Sequence, residues 1–367
     1  MASPLKDLYS PSFYDKLAHT LTVTVPGFDK GKFIKNIFTP SFESKELKER
    51  MKHTSAVLHG FLPQDYHQTI ELIKETVAQL RIQGIGEDGL AYMFIPDYIE
   101  TYGINDFDKS VEALEFVTQF VSCEFAVRPF ILKYGNEMIV KMQKWSLHES
   151  HKVRRLSSEG SRPRLPWAMG IPFLKQDPTS ILPILENLKK DPSEYVRRSV
   201  ANSLNDIAKD HAEVVLNIAQ NWAGLGSETD AIIKHGSRTL LKQGHAAILK
   251  HYGLDDKGIL LTDFKIVTPE IKIGESLGFS FSIKNENPTA QKVRLEYAIY
   301  YKKQNGQHTK KVYKISERIY LPGEAVSIIR RQKFILITTR KFHLGDHQVS
   351  MIINGAEKEI SSFELTA

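Results

Sequence analysis

A single cysteine, Cys123, stands in 367 residues, so no internal disulfide is possible. No Cys or His grouping has the spacing of a structural zinc site, and the thirteen histidines are scattered. Nowhere do eighteen apolar residues follow one another, which argues against a membrane-spanning helix. The opening MASPLKDLYSPSFYDKL lacks the basic segment and apolar run of an export leader, so a reducing cytoplasm is the expected location. No GxSxG, HExxH or P-loop pattern occurs, and GIGEDG near residue 84 lacks a strand-loop-helix setting. Hydrolases of those classes, kinases and zinc enzymes are therefore disfavoured, and neither a metal nor an organic cofactor is expected.

What remains is enough for two domains: 41% of the residues are hydrophobic over a length that exceeds one ordinary small domain. The net charge of +6 is unevenly spread. From Ile259 onward there are 17 Lys and Arg against 11 Asp and Glu, and everything before is balanced at 32 against 32. A basic C-terminal module suits a polyanionic partner, although a solvated surface can carry the same excess.

From about Asp29 to Tyr252 the apolar spacing is mostly helical. In HQTIELIKETVAQL, Ile70, Leu72, Ile73, Val77 and Leu80 form a stripe near period 3.6. HKVRRLSSEG and EYVRRSVANSL place Val-Arg-Arg at 153 and 196, 43 residues apart, and AIIKHGSRTLLKQ offers a degenerate third copy. Periods near 40 with two helices each suggest a HEAT-like solenoid. Past residue 257 the pattern changes to alternation: Leu277, Phe279, Phe281 and Ile283, then Val293, Leu295, Tyr297, Ile299 and Tyr301. The reading is a multidomain chain: an all-α HEAT-like solenoid over residues 1–257, then a small all-β immunoglobulin-like sandwich over 258–367.

The stretch SSEGSRPRLPW, 157–167, carries the most chemistry. Pro163 and Pro166 forbid a continuous helix, so the backbone turns there. Arg154, Arg155, Arg162 and Arg164 crowd around that turn, either as surface charges of a linker or as a clamp on phosphates. Trp167 ends it, with an indole face able to stack on a base or a cationic ring. Glu159 could pair with Arg162. Glu124, hemmed by Cys123, Phe125 and Ala126, needs a partner or a function, and Arg128 four positions on is the obvious ion-pair candidate. Along the next repeat, Asn202, Asn205, Asp206 and Lys209 form a polar stripe, which is either the wet side of a helix or a surface for phosphates and sugars.

Four strings, ELKERMKHTSAVLHGFLP, EFAVRPFI, HKVRRLSSEGSRPRLPWA and DPTSILPILENLKKDPSEYVRRSVANSLNDIAKDH, resemble the AlkC branch of the DNA alkylation repair glycosylases over most of residues 29–250. The composition break resembles the subgroup with a C-terminal immunoglobulin-like domain. The resemblance implies a monomeric, cofactor-independent, monofunctional glycosylase. Its expected substrate is 3-methyladenine, and also 3-methylcytosine, in double-stranded DNA of the bacterial nucleoid. It implies Glu159 and Glu124 as catalytic carboxylates with Asp206 behind them, and Trp167 beside the lesion. It implies Arg155, Arg162, Arg164, Arg198, Asn202 and Lys209 as DNA contacts. In the sandwich, the loops around KNENPTAQK, KKQNGQHTKK and RKFHLGDH are the candidate contacts. Two other readings are a damaged-DNA binding module without catalysis and a HEAT-like protein-interaction scaffold.

Overall fold

The computed structural model describes residues 4–85, 89–336 and 341–367; half of GIGEDG and the first residue of RKFHLGDH lie outside them. Sixteen α-helices, from Pro11–Thr24 to Ala246–His251, precede eight strands among the described residues. The helical part begins earlier than the apolar spacing suggests. Pro11 occupies the first turn, where its missing N–H costs nothing, and the Ser10 hydroxyl accepts from Phe13 N. The Tyr66–Ile82 helix follows the expected stripe: Asp65 caps it, and Ile70, Ile73, Val77 and Leu80 are buried.

The chain divides into two compact units, Met1–Gly236 and Ser237–Ala367. In the first, the His151–Gly160 helix packs on Glu194–Ile207, which packs in turn on Ser227–Gly236. The Val-Arg-Arg repeat has the same physical meaning in its first two copies. Val153 and Val196 are fully buried. Arg154 donates through Nη1 to the carbonyls of His148 and Glu149, and Arg197 through Nη1 to those of Asp191 and Pro192. Each arginine thus ties its helix to the chain entering it, five and six residues back. Arg154 also forms a two-point pair with buried Asp191, Nε–Oδ2 2.6 Å and Nη2–Oδ1 3.1 Å, so it belongs to the scaffold and not to a clamp around the turn. The third copy differs, because Ser237 separates the Ser227–Gly236 helix from Arg238–Gln243.

In the second unit, β1 (Ile259–Ile266), β2 (Glu270–Lys272), β3 (Ser276–Asn285), β4 (Gln291–Lys302), β5 (His308–Tyr320), β6 (Ala325–Lys333), β7 (Gly345–Ile353) and β8 (Ala356–Thr366) build two sheets. One has the order β1-β3-β6 and the other β2-β8-β7-β4-β5. The alternating residues of β3 and β4 face each other in one apolar core with Val349, Met351, Phe363 and Leu365, which holds the sheets together without a disulfide. The two short helices Arg238–Gln243 and Ala246–His251 group with these strands, although composition changes only near 257.

Their attachment is specific. Asn354 Nδ2 donates to the Asp255 carbonyl, Lys358 pairs with Asp256 at 2.6 Å, and Leu249 packs on Gly355 at the β7–β8 turn. A Cβ on Gly355 would meet Leu249 Cδ1 at 2.5 Å, and its φ of +81° disfavours any side chain. Gly355→Ala should therefore destabilise this unit by about 1–3 kcal/mol. Urea unfolding of the full chain checks it; a loss below ~0.5 kcal/mol would mean that the turn relaxes freely.

Candidate active site

The His151–Gly160 helix ends at the turn that the prolines impose, and Arg128, from the Val127–Tyr134 helix, holds that turn in place. Its Nη1 donates to the carbonyls of Gly160 and Arg162, both at 2.9 Å, and its Nε to that of Met169 at 2.7 Å. These bonds fix both ends of the segment 161–170. Arg128 is fully buried, and burial first, then the neighbouring charge of Arg162, lowers its pKa to about 10. It is not the partner of Glu124: the guanidinium is committed to backbone carbonyls, and Glu124 pairs elsewhere.

With the turn fixed, the acidic and basic side chains alternate in a continuous chain. Glu124 pairs with Arg155 Nη1, which also donates to Ser122 Oγ at 3.0 Å, and Ser122 Oγ in turn donates to Glu124 Oε2. Arg155 Nη2 lies 3.8 Å from Glu159 Oε1. That same oxygen accepts from Arg162 Nη1 at 2.6 Å, while Arg162 Nε donates to Asp206 Oδ2 at 2.8 Å. Lys209 closes the chain on Asp206 Oδ1 at 2.9 Å. Burial works against the charges on Arg155 and Arg162, but the carboxylates beside each outweigh it and hold both guanidinium pKa values above the ordinary arginine range. Glu159 and Asp206 are only 6% and 2% exposed.

Each residue singled out in the sequence has a definite place. Glu124, Arg155, Glu159, Arg162, Asp206 and Lys209 are brought together. Arg162 is buried between two carboxylates, which leaves it little to offer a phosphate. Arg164 reaches past the chain to Asp210, with Nη2–Oδ1 at 2.8 Å, and its Nη1 also donates to the Asp206 carbonyl. Arg198 is exposed and pairs with Glu194; Asn202 is half-buried one turn further along. The polar stripe is not simply the wet side of its helix, since Asn205 and Asp206 are buried. Trp145 and Trp222 are core residues whose indoles donate to Glu115 and Glu186.

Trp167 is the opposite case: it is 68% exposed, with φ of +64°. A left-handed backbone at a bulky residue costs about 1–3 kcal/mol and persists where the surroundings impose it. Here Lys48, from the Leu47–His59 helix, donates Nζ to the Trp167 carbonyl and sits 4.8 Å from the centroid of the Phe125 ring.

Beside Glu124 opens a cavity of about 220 Å³ that also exposes Phe125, Arg155 and Tyr195, the last with its ring 4.5 Å from the Arg155 guanidinium. Asp97 and Glu100, from the Phe94–Gly103 helix, line the same cavity. Sequence reasoning did not single them out. Among the described residues no group of His, Cys, Asp and Glu is arranged to hold a metal ion.

A helical domain with a charge chain beside a turn that bears an exposed tryptophan, followed by an immunoglobulin-like sandwich, has known relatives. The uncharacterized protein YhaZ of Bacillus subtilis is 42% identical over 362 residues, 98% of this chain and 99% of that one. The solved structure of the Pseudomonas fluorescens alkylpurine DNA glycosylase AlkC, bound to DNA containing an abasic site analog, superposes with a TM-score of 0.93. It is 35% identical and covers all of both chains. The chain belongs to the AlkC family. A family model described as the C-terminal Ig-like domain of uncharacterised protein YhaZ matches residues 260–367, so the sandwich is the one that marks this AlkC subgroup.

Within the AlkC fold of this chain, the guanidinium of Arg128 is what the turn depends on. Arg128→Met should leave three carbonyls without their donor and cost about 3 kcal/mol or more. Hydrogen exchange should accelerate first in 161–170; uniform acceleration over the whole helical unit would contradict a local anchoring role.

Proposed function

We propose that this chain is a monofunctional DNA glycosylase that hydrolyses the N-glycosidic bond of cationic N-alkylated bases, 3-methyladenine and 3-methylcytosine, in duplex DNA. The observation that carries the reading is the chain of alternating charges running from Glu124 to Lys209, with Glu159, Arg162 and Asp206 buried in it, beside the turn that bears exposed Trp167, in a protein superposable over its full length on an alkylpurine DNA glycosylase.

The chemistry asks for little beyond such an arrangement. A base alkylated on its ring already carries a positive charge, so the C1′–N bond can break with its electrons passing to the base, which leaves neutral. The sugar becomes oxocarbenium-like, water adds to C1′, and the water's proton passes to a carboxylate. A preorganised carboxylate beside the sugar stabilises the developing charge, an effect of roughly 2–4 kcal/mol for one such group. Glu124 has the more accessible side chain, 19% against 7% for Glu159, and opens onto the cavity. Glu124 thus suits direct contact with the sugar. Glu159, gripped by Arg155 and Arg162, suits holding a water, with Asp206 as the deeper counter-charge that keeps Arg162 aligned. Trp167 offers its face to the cationic ring. Arg155, Arg162 and Lys209 act mainly by positioning carboxylates, whereas Arg164, Arg198 and Asn202 remain on the surface available to the DNA backbone.

The sandwich has a suitable polyanion site of its own. The β4–β5 turn and the segment before β7 meet around a hollow of about 310 Å³ lined by Lys302, Lys303, Lys310, Lys311 and Lys341. Among the described residues, Lys310 is the one of these five that a carboxylate neutralises, Glu357 at 2.7 Å. Of the three candidate loops, KKQNGQHTKK and RKFHLGDH share this end. KNENPTAQK lies at the other end of twelve-residue β4, about 40 Å away. The phosphate contacts of the sandwich are therefore assigned to the lysine end.

Incubation with methylated duplex DNA in the presence of a chelator should release free 3-methyladenine. Glu124→Gln and Glu159→Gln should each slow the release by about 100-fold; if both stay within about threefold of the parent, the catalytic assignment fails. Specific binding without any released base would point instead to a binding module, and binding without lesion preference to a scaffold. Replacing Lys303, Lys311 and Lys341 by Gln should lower the slope of log affinity against log salt by about 0.9 for each phosphate no longer neutralised. An unchanged slope would deny the lysine end a place on DNA.

A further inference from the structure

Arg128 binds the carbonyls of Gly160, Arg162 and Met169, but not the peptide that follows Trp167. Other groups hold that peptide at both of its polar atoms. Ala168 N donates to the Leu165 carbonyl at 3.2 Å, and the Trp167 carbonyl accepts from Lys48 Nζ. The orientation of this peptide plane sets ψ of Trp167, so Lys48 takes part in keeping a bulky residue at φ of +64°.

Lys48 reaches the turn from a helix that is itself tied down. In Leu47–His59, buried Arg50 donates to the carbonyls of Lys45, Lys6 and Glu43 at 3.0, 3.2 and 3.4 Å, and Ser55 Oγ donates to the Phe94 carbonyl at 2.8 Å. Lys48 itself does not favour this helix. It is the second residue of the first turn, where the helix dipole presents its positive end and a cation is disfavoured. Half-buried, its side chain gives up rotamer freedom and water to sit between a carbonyl dipole and the face of Phe125, 4.8 Å from the ring centroid.

Phe125 is the chain neighbour of Glu124, so one ammonium ties the turn that bears Trp167 to the segment that bears the carboxylate. In the glycosylase reading these two groups act on one nucleotide, the indole on the cationic base and the carboxylate on its sugar. Their separation has to be set before the DNA arrives. We infer that Lys48 is a positioning residue of the glycosylase: it holds the Trp167 indole in register with Glu124 and touches neither the lesion nor the DNA backbone. The inference rests on the proposed function and adds to it the group that keeps the aromatic contact in place. Two other routes lead from Lys48 to the reaction, a direct phosphate contact and its charge near Glu100. Burial first, then Asp97, raises the Glu100 pKa to about 7, and Lys52 and Lys48 oppose the rise.

A double-mutant cycle on the full chain separates these routes, read as single-turnover rates of 3-methyladenine release from methylated duplex DNA. Lys48→Met keeps the stem of the side chain and removes the ammonium. It should slow release about tenfold, and Trp167→Ala should slow it at least as much. In the Trp167→Ala background, Lys48→Met should change the rate by no more than about twofold. An equal effect in both backgrounds overturns the inference, because an action through Glu100 or on a phosphate does not need the indole. So does either single variant within about threefold of the parent. Lys48→Arg can donate to the same carbonyl and lie on the same ring, so it should stay within about threefold; a loss as large as that of Lys48→Met overturns the inference. The slope of log affinity against log salt should match the parent's in Lys48→Met, whereas a fall of about 0.9 would make Lys48 a phosphate contact instead.

A spectroscopic readout is independent of turnover. The full chain labelled with 5-fluorotryptophan carries three fluorine signals, and two of them, from Trp145 and Trp222, report core residues. In Lys48→Met the Trp167 signal should shift or broaden while the other two stay where they are. An unmoved Trp167 signal overturns the inference. Movement of all three overturns it as well, because Lys48 would then support the whole helical unit. If the parent releases no base the glycosylase reading fails, and the fluorine signals still decide whether Lys48 positions the indole.

Discussion

Carboxylates drawn into an interior need counter-charges that are themselves held, and that requirement organises the site in the helical unit. Glu124, Glu159 and Asp206 come from three separate segments, and each would be expensive alone in an interior. Arg155 and Arg162 stand between them, so every carboxylate has a guanidinium neighbour and each guanidinium touches two carboxylates. Such a chain contributes little net stability, because desolvation consumes most of the Coulomb gain. What it does provide is a fixed field: removal of any member leaves its neighbours uncompensated, so geometry and charge state are set jointly.

The turn at 161–170 is positioned from two sides. Arg128, from the Val127–Tyr134 helix, donates to three carbonyls, and Lys48, from the Leu47–His59 helix, holds the carbonyl of Trp167. Between these anchors the chain folds on itself, with Ala168 N donating to Leu165 O and Ile171 N to Pro163 O. The prolines therefore do more than stop a helix. With φ fixed at two positions and the ends pinned, the segment has few ways to close, and Trp167 is driven into a left-handed backbone that leaves its ring in solvent.

Much of this was legible in the sequence, and unevenly so. Alternation in β3 and β4 marked the sandwich, because a period of two is what a strand with one buried face requires. The Val-Arg-Arg period was visible because the first arginine of each copy makes the same backbone contacts. The pairing of Glu124 was not legible: helical spacing favours Arg128, and only the path of the turn shows that Arg128 is needed elsewhere. Asp97 and Glu100 gave no signal, since FIPDYIETYG reads as an ordinary amphipathic helix and a cavity has no local sequence pattern. Composition changes only near 257, so it gave no sign that Leu249 of the second short helix, and Asp255 and Asp256 of the segment after it, contact the β7–β8 end of the sandwich.

The two intact copies of the repeat show how a site arises on a repetitive scaffold. Arg154 and Arg197 keep one structural duty, and their neighbours Arg155 and Arg198 occupy the equivalent next position. Arg198 stays in solvent, paired with Glu194 one turn back on its own helix. Arg155 is drawn inward because the adjacent segment presents Ser122 and Glu124, and Tyr195 covers it. The same residue at the same repeat position is thus a surface charge in one copy and the link between the carboxylates of Glu124 and Glu159 in the other. Fold alone does not distinguish them. The difference lies in the carboxylates supplied by neighbouring segments, so the site is a property of the contacts between repeats.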